Sequence, residues 1–552
     1  MGGPSEETGV PAPRCRMANE NDLIAATYDD APYLSCAFEC SSPEHLRSVA
    51  WLFGLDAPEP ASARVLELGC ASGGNLIPFA QRHPGAQVLG VDLSAQQVDE
   101  GNALIARMGL GNVRLEQRDL ASIDAGLGQF DYIVCHGVYS WVPPEVRTAI
   151  LRICRENLSP RGVAFVSYNT YPGWKTREVV RDAMRLHGAW RQTPAEQLAH
   201  GRTMVQFLRE RVARDSLLGN ILNEHADVVQ RGDDYYLVHE YLERHNQPCY
   251  FREFADQAQA QGLTYLAETP VASMFVSNLG DETAQAMEGA YRDQIELEQY
   301  LDFLRNRQFR QTLLVHGERA EQIQRTLDHE RLHGLYYSGH FSDPRPAADT
   351  PQKVTFRTRR NADVDLAGGL TLALAELLTA AYPNAVQGTA LLAQLEQRGF
   401  GQRAEVASEL AGVLGQLIAF NAVDFLRDQG TPAIVSAGER PVAWAPARQW
   451  YAQRFEPPQH THKRWVVCPT HRTVMLDLVQ QRLLPLLDGT RTRAQLAASL
   501  VEAHVRGEIR FKREGEGEGE YPPLDAAEQA ALADELVAQA LAVLGRERLL
   551  VA

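Results

Sequence analysis

Between residues 64 and 170, short apolar or β-branched runs at 64–68, 88–92, 113–116, 132–135 and 163–167 alternate with amphipathic stretches of helical length. Strands separated by helices cannot pair through tight turns. They run parallel, and a parallel sheet needs helices over both faces. The pattern predicts a doubly wound α/β domain over about 20–180.

At 552 residues the chain exceeds what one hydrophobic core organises, so further domains must follow. After residue 180 the strand signals nearly stop. Thr193-Pro194-Ala195-Glu196 reads as a helix N-cap with Pro in the first turn and Glu at the third position, and another helical pattern covers 283–308. A mainly helical middle domain is therefore expected over 181–342. The proline-rich stretch at 342–352 (SDPRPAADTPQ) reads as a linker. A winged-helix-like region over 353–552, divisible into two subdomains, is expected beyond it, because a helix, the turn at Gly489 and a second helix succeed one another there. The acidic insert EGEGEGE at 514–520 reads as a loop.

With 54 basic against 70 acidic residues, the net charge of −16 has the wrong sign for a protein that binds by neutralising phosphates, so nucleic acid is not an expected partner. The eight cysteines are scattered, with no CxxC, as in a reducing compartment; Cys36 and Cys40 read as buried thiols. The first residues lack the order of a signal peptide, and the apolar stretch at 370–382 is interrupted by Glu376. A cytoplasmic location without membrane contact is the expectation; the oligomeric state is left open.

The segment VLELGCASGGN (65–75) ends the first strand and opens the first helix, and Asp92 stands at the tip of the second strand. Small residues there let a ligand approach the backbone, a helix N-terminus supplies amide donors, and a strand-end carboxylate accepts from ribose hydroxyls. NAD binding uses the same two features, but its fingerprint is GxGxxG, whereas the glycines here fall at 69, 73 and 74 with Glu67 ahead of them. Together with Asp119 in Gln117-Arg118-Asp119-Leu120, this resembles the S-adenosylmethionine (SAM) pocket of class I methyltransferases, which have a Rossmann-like fold. The resemblance implies that Glu67 and Gly69 serve the methionine end, Asp92 the ribose and Asp119 the adenine, with Cys70, Ala71, Gly73, Asn75, Leu93 and Leu120 also in the cofactor site. The family usually has Gly where Ala71 stands, so a slightly different turn is expected.

The segments FDYIVCHGVYSWVP (130–143), VSYNTYPGW (166–174) and YDDAPY (28–33), with VHEYL (238–242), YFREF (250–254) and FRQTLL (309–314), resemble bacterial methyltransferases that carry a regulatory domain. That group includes rickettsial protein-lysine methyltransferases. The resemblance implies a SAM-dependent enzyme acting on lysines of a protein substrate. Residues at the carboxyl ends of the strands then converge above the sulfonium: Tyr28, Tyr33, His136, Tyr139, Trp141, Tyr168, Asn169, Tyr171 and Trp174, with aromatic faces stabilising cations. His136 is also a candidate on the cofactor side. Three other readings stay open: a small-molecule N- or O-methyltransferase, a SAM-binding regulatory protein without turnover, and an NAD-dependent oxidoreductase, which would need a nicotinamide-side domain not visible in the sequence. His460, His462, Cys468 and His471 offer four potential ligands but match no common zinc spacing, so no metal is expected.

Overall fold

The computed structural model describes residues 35–552 except 189, 192, 349, 351, 456–463 and 513–523. Tyr28, Tyr33, His460, His462 and the acidic insert lie outside the described residues. Strands β1 (Arg64–Leu68), β2 (Gln87–Asp92), β3 (Val113–Gln117), β4 (Phe130–Cys135) and β5 (Leu158–Asn169) are parallel. Their apolar side chains alternate between two cores: Val65, Val88, Val134 and Phe165 on one face, Leu66, Leu89, Ile133 and Val166 on the other. Both faces are buried, which is why these runs are almost continuously apolar.

Helices α1 (Pro43–Leu52), α2 (Leu76–Arg82), α3 (Ala95–Met108) and α4 (Pro144–Glu156) cover the sheet. Ser42 and Ser94 start α1 and α3 by accepting the backbone N–H groups of His45 and Gln97, and left-handed Gly109 (φ 66°) ends α3.

The expected middle domain needs correction. Beyond α5 (Trp174–Gly188), α6 (Pro194–Arg211), α7 (Leu217–Arg231) and α8 (Phe251–Ala260) come two strands, β6 (Leu263–Glu268) and β7 (Phe309–His316), that join the first sheet in the order β3-β2-β1-β4-β5-β7-β6. The boundary near 180 therefore cuts through a sheet that ends at residue 316. Helices α5–α7 do have a core of their own, built on Val180, Met184, Leu198, Val205, Leu222 and Val229. Thr193 and Glu196 form the capping box that starts α6. The helical pattern at 283–308 resolves into Asp281–Met287 and α9 (Gln294–Arg305).

The linker reading is also corrected. After β8 (Tyr336–Ser338), strand β9 (Phe341–Pro346) pairs antiparallel with β10 (Val354–Thr358), which pairs with β11 (Asp363–Leu366). Because β9 is the edge strand, its prolines need not donate to a neighbour on the open side. Helix α10 (Gly369–Ala381), strand β12 (Val386–Gln387), helices α11 (Gly388–Gln397) and α12 (Arg403–Ala419) and strand β13 (Asp424–Leu426) follow; β8, β12 and β13 form a small sheet. The last segment holds α13 (Ala445–Arg454), the hairpin β14 (Arg464–Val467) and β15 (Thr473–Leu476), and α14 (Leu478–Leu483), α15 (Arg493–Val505) and α16 (Ala526–Arg546). Gly489, at φ 83°, lies between α14 and α15. Among the described residues, no helix is long and apolar enough to cross a membrane.

Candidate active site

Strand β1 lies between β2 and β4, so the connections leaving the carboxyl ends of β1 and β4 pass to opposite sides of the sheet and open a crevice. A cavity of about 390 Å³ occupies it. Residues at or just beyond the ends of β1 to β5 line it: Glu67, Gly69, Cys70, Ala71 and Asn75; Asp92 and Leu93; Asp119 and Leu120; His136 and Trp141; Asn169 and Trp174.

The first turn is tightly specified. Gly69 (φ 75°) donates its N–H to Val91 O at 2.8 Å, and a Cβ there would lie 2.4 Å from Val138. Ala71 holds a left-handed conformation (φ 50°), one that glycine adopts without strain, and an Ala71 N–H to Asp92 Oδ2 bond of 2.8 Å helps to hold it. Asp92 Oδ1 also accepts from Ser94 N–H at 3.0 Å. Gly73 is a correction: it does not line the cavity, and its α-carbon faces Ile77 and Leu115.

Glu67 is almost wholly buried. Its Oε1 accepts from Asn75 Nδ2 at 2.9 Å while its Oε2 has no partner. Burial pushes its pKa up to about 8; the Asn75 hydrogen bond opposes the shift and the charge of Asp92 adds to it. Asp119 accepts from Ala121 N–H at 2.9 Å and so turns the chain after β3. His136 is stacked on Phe38 at 4.0 Å, with Phe165 behind it at 5.8 Å, and burial lowers its pKa to about 4. It is neutral at physiological pH and a poor proton acceptor.

The opposite wall carries Trp141 and Trp174, packed edge to face at 6.2 Å. The Arg177 guanidinium lies 5.2 Å from the Trp174 ring centre and pairs with Glu240, whose pKa burial raises against the opposing charge of Arg177. Asn169 Nδ2 donates to Asn246 Oδ1 at 3.1 Å.

Three expected aromatics are not in the cavity. Tyr139 and Tyr168 are buried against Phe254 of α8, with their hydroxyls on Gln257 at 2.6 Å and Thr312 at 3.1 Å. Tyr171 bonds Glu178 and stacks under Lys175. Of the four potential zinc ligands, the two described are engaged otherwise: Cys468 with Thr470, and His471 with Asn75 and Arg82. Among the described residues no group of three or more His, Cys, Asp or Glu side chains could hold a metal ion. Sequence reasoning missed Cys36 and Phe38, Arg177, His239 and Glu240, and Gln308 and Phe309. Arg177 had a signal, lying one helical turn beyond Trp174, and His239, Glu240 and Phe309 fall within the segments at 238–242 and 309–314 that carry the resemblance.

Three family models match the chain: a "Methyltransferase domain" at 65–162, a "Predicted methyltransferase regulatory domain" at 233–316 and a "PKMT, C-terminal winged helix domain" at 439–549. The Rickettsia prowazekii protein RP028 is 38% identical over 234 residues, 42% of this chain and 94% of its own. The chain belongs to this methyltransferase family. RP789 of the same organism is 39% identical over 292 residues, and the chain spans about half of its length, 53%. The solved structure of PKMT2 from Rickettsia typhi in complex with AdoHcy matches with a TM-score of 0.82 at 28% identity, covering 94% of this chain and 100% of that one. In this chain the regulatory-domain segment is no appendage: it supplies β6 and β7 to the sheet, and His239, Glu240, Gln308 and Phe309 to the cavity.

Proposed function

We propose that the chain is a SAM-dependent methyltransferase that modifies lysine side chains of a protein substrate. The observation that carries the reading is Glu67: a buried carboxylate with one unpartnered oxygen, beside a glycine-lined turn and in line with Asp92 and Asp119. A ligand fits this set if it brings a cationic amino group, a ribose and an adenine, as SAM does. The likeness to PKMT2 in complex with AdoHcy supports the same choice. Glu67 would accept from the amino group, Asp92 from the ribose hydroxyls and Asp119 from the adenine amine. When bound, SAM supplies an electrophilic methyl group on a sulfonium.

The chain's own residues supply alignment and a dry environment, which account for most of the acceleration in an in-line displacement. Trp141 and Trp174 put aromatic rings in the cavity wall, where a cationic acceptor gains from π density. A lysine amine of pKa about 10.4 needs roughly 4.6 kcal/mol to shed its proton at pH 7, and burial next to a sulfonium lowers that cost. Neutral His136 adds no positive charge to oppose either cation. The net charge of −16 favours approach of basic, lysine-bearing surfaces.

Incubation of the purified protein with tritiated SAM and a bacterial extract tests the reading. Label in a protein band that acid hydrolysis assigns to methyl-lysine is expected. Label confined to low-mass products would replace the acceptor, and SAM binding without AdoHcy release would make the chain a sensor.

A further inference from the structure

The polar contacts of Glu67 do not end at Asn75. The Oδ1 atom of Asn75 accepts from Nε2 of His471 at 2.9 Å, and His471 belongs to the turn between β14 and β15, within the winged-helix segment. Nδ1 of the same ring lies 2.9 Å from Nη1 of Arg82. A guanidinium only donates, so Nδ1 must be the acceptor and Nε2 carries the hydrogen. Asn75 Oδ1 accepts a second bond from Phe38 N–H at 3.1 Å, which leaves its Nδ2 facing Glu67 Oε1 at 2.9 Å and Ser41 Oγ at 3.2 Å. Every donor and acceptor in the chain Arg82, His471, Asn75, Glu67 thus points one way.

The three last members are 1%, 6% and 4% exposed, so water does not substitute for any of these bonds. His471 also holds a left-handed backbone conformation, φ 61°, within a turn closed by Cys468 N–H to Arg472 O and His471 N–H to Cys468 O. Glycine adopts that conformation without strain, and histidine does so at some cost though more readily than most residues.

We infer that His471 is a positioning residue of the cofactor site: the winged-helix segment, through His471 and Asn75, fixes the carboxylate of Glu67 for the amino group of SAM. The inference rests on the SAM reading given above. The winged-helix segment is thereby tied to the cofactor pocket from behind its lining.

Calorimetric titration of the full chain with AdoHcy tests this without a methyl acceptor. H471M fills the space but cannot donate, and should raise Kd about tenfold. H471Q can place an amide N–H2 where Nε2 stands, and should stay within about threefold of the parent. Combining N75A with H471M should weaken binding no more than N75A alone, because the two residues act in series. Thermal unfolding of each variant shows whether the fold is kept. An unchanged Kd in H471M, equal losses in H471M and H471Q, or additive losses in the double variant would overturn the inference. Failure of the parent chain to bind AdoHcy would instead overturn the cofactor reading.

Discussion

Glu67 shows how a buried carboxylate weakens the protein that holds it. Its pKa is about 8 in the folded chain against 4.5 for the ordinary side chain. A raised folded pKa gives stability that is complete below 4.5 and is lost as pH rises to about 8, because the unfolded chain ionises freely while the folded chain resists it. Glu67→Gln cannot ionise, so its advantage in thermal stability over the parent should widen from about pH 4.5 to 8 and then level off, reaching on the order of a few kcal/mol. The same variant should bind SAM more weakly, since a neutral amide replaces a carboxylate opposite an ammonium. A parent chain that matches Glu67→Gln in stability at every pH would show that Glu67 is not desolvated. Asp92 is the complementary case. It holds the Ala71 and Ser94 amides, is only half-buried, and stands at the mouth of the fold. Asp92→Ala should therefore leave the circular dichroism spectrum intact while SAM affinity falls about a hundredfold or more, two charge-assisted bonds being lost together. Retained affinity would move the ribose elsewhere.

Elements explain which site residues were legible in the sequence. The β1 turn, Asp92 and Asp119 were readable because strand ends and a glycine-rich bend are local features. Tyr139 and Tyr168 were misplaced because the rule that ligands lie beyond strand ends was extended to every aromatic near them. Strand parity points the other way: Ala164, Val166 and Tyr168 share one face of β5, so Tyr168 belongs with the core while Asn169 faces the cavity. Strands β6 and β7 were hidden because each is an isolated short run inside a helical region, and only the pairing of β7 with β5 and of β6 with β7 stabilises them. Tyr168 is accordingly a structural residue. Its hydroxyl donates to Thr312, which donates to Glu268 at 2.7 Å, the carboxylate that also holds buried Arg310. Tyr168→Phe should cost about 1 kcal/mol in denaturant unfolding and leave AdoHcy affinity unchanged. A large loss of affinity would return Tyr168 to the active site.

The sequence suggests modules joined by a proline-rich linker, but the packing is that of one body. A single buried cluster includes Leu46 and Val88 of the first domain, Leu313 of the middle segment, Leu374 and Leu410 of the region that follows it, and Leu483 and Leu550 at the end. Polar contacts reinforce it: Ala37 N–H donates to Thr473 at 3.1 Å, and Arg454 pairs with Glu100 and also reaches Ser72 at 3.5 Å. The reason this was not legible is physical, because apolar faces of separate helices show in the sequence while their mutual partners do not. Shared core makes the folding units interdependent, so calorimetric unfolding should give one main transition rather than separate ones for the catalytic and winged-helix segments. AdoHcy at a hundredfold excess over its Kd adds about 2.7 kcal/mol to a state that binds it. With one cooperative unit, the whole transition moves up by a few degrees, winged helix included. If two transitions appear and only the first moves, the cluster is not continuous in solution, and the cofactor site is assembled without the C-terminal segment's help.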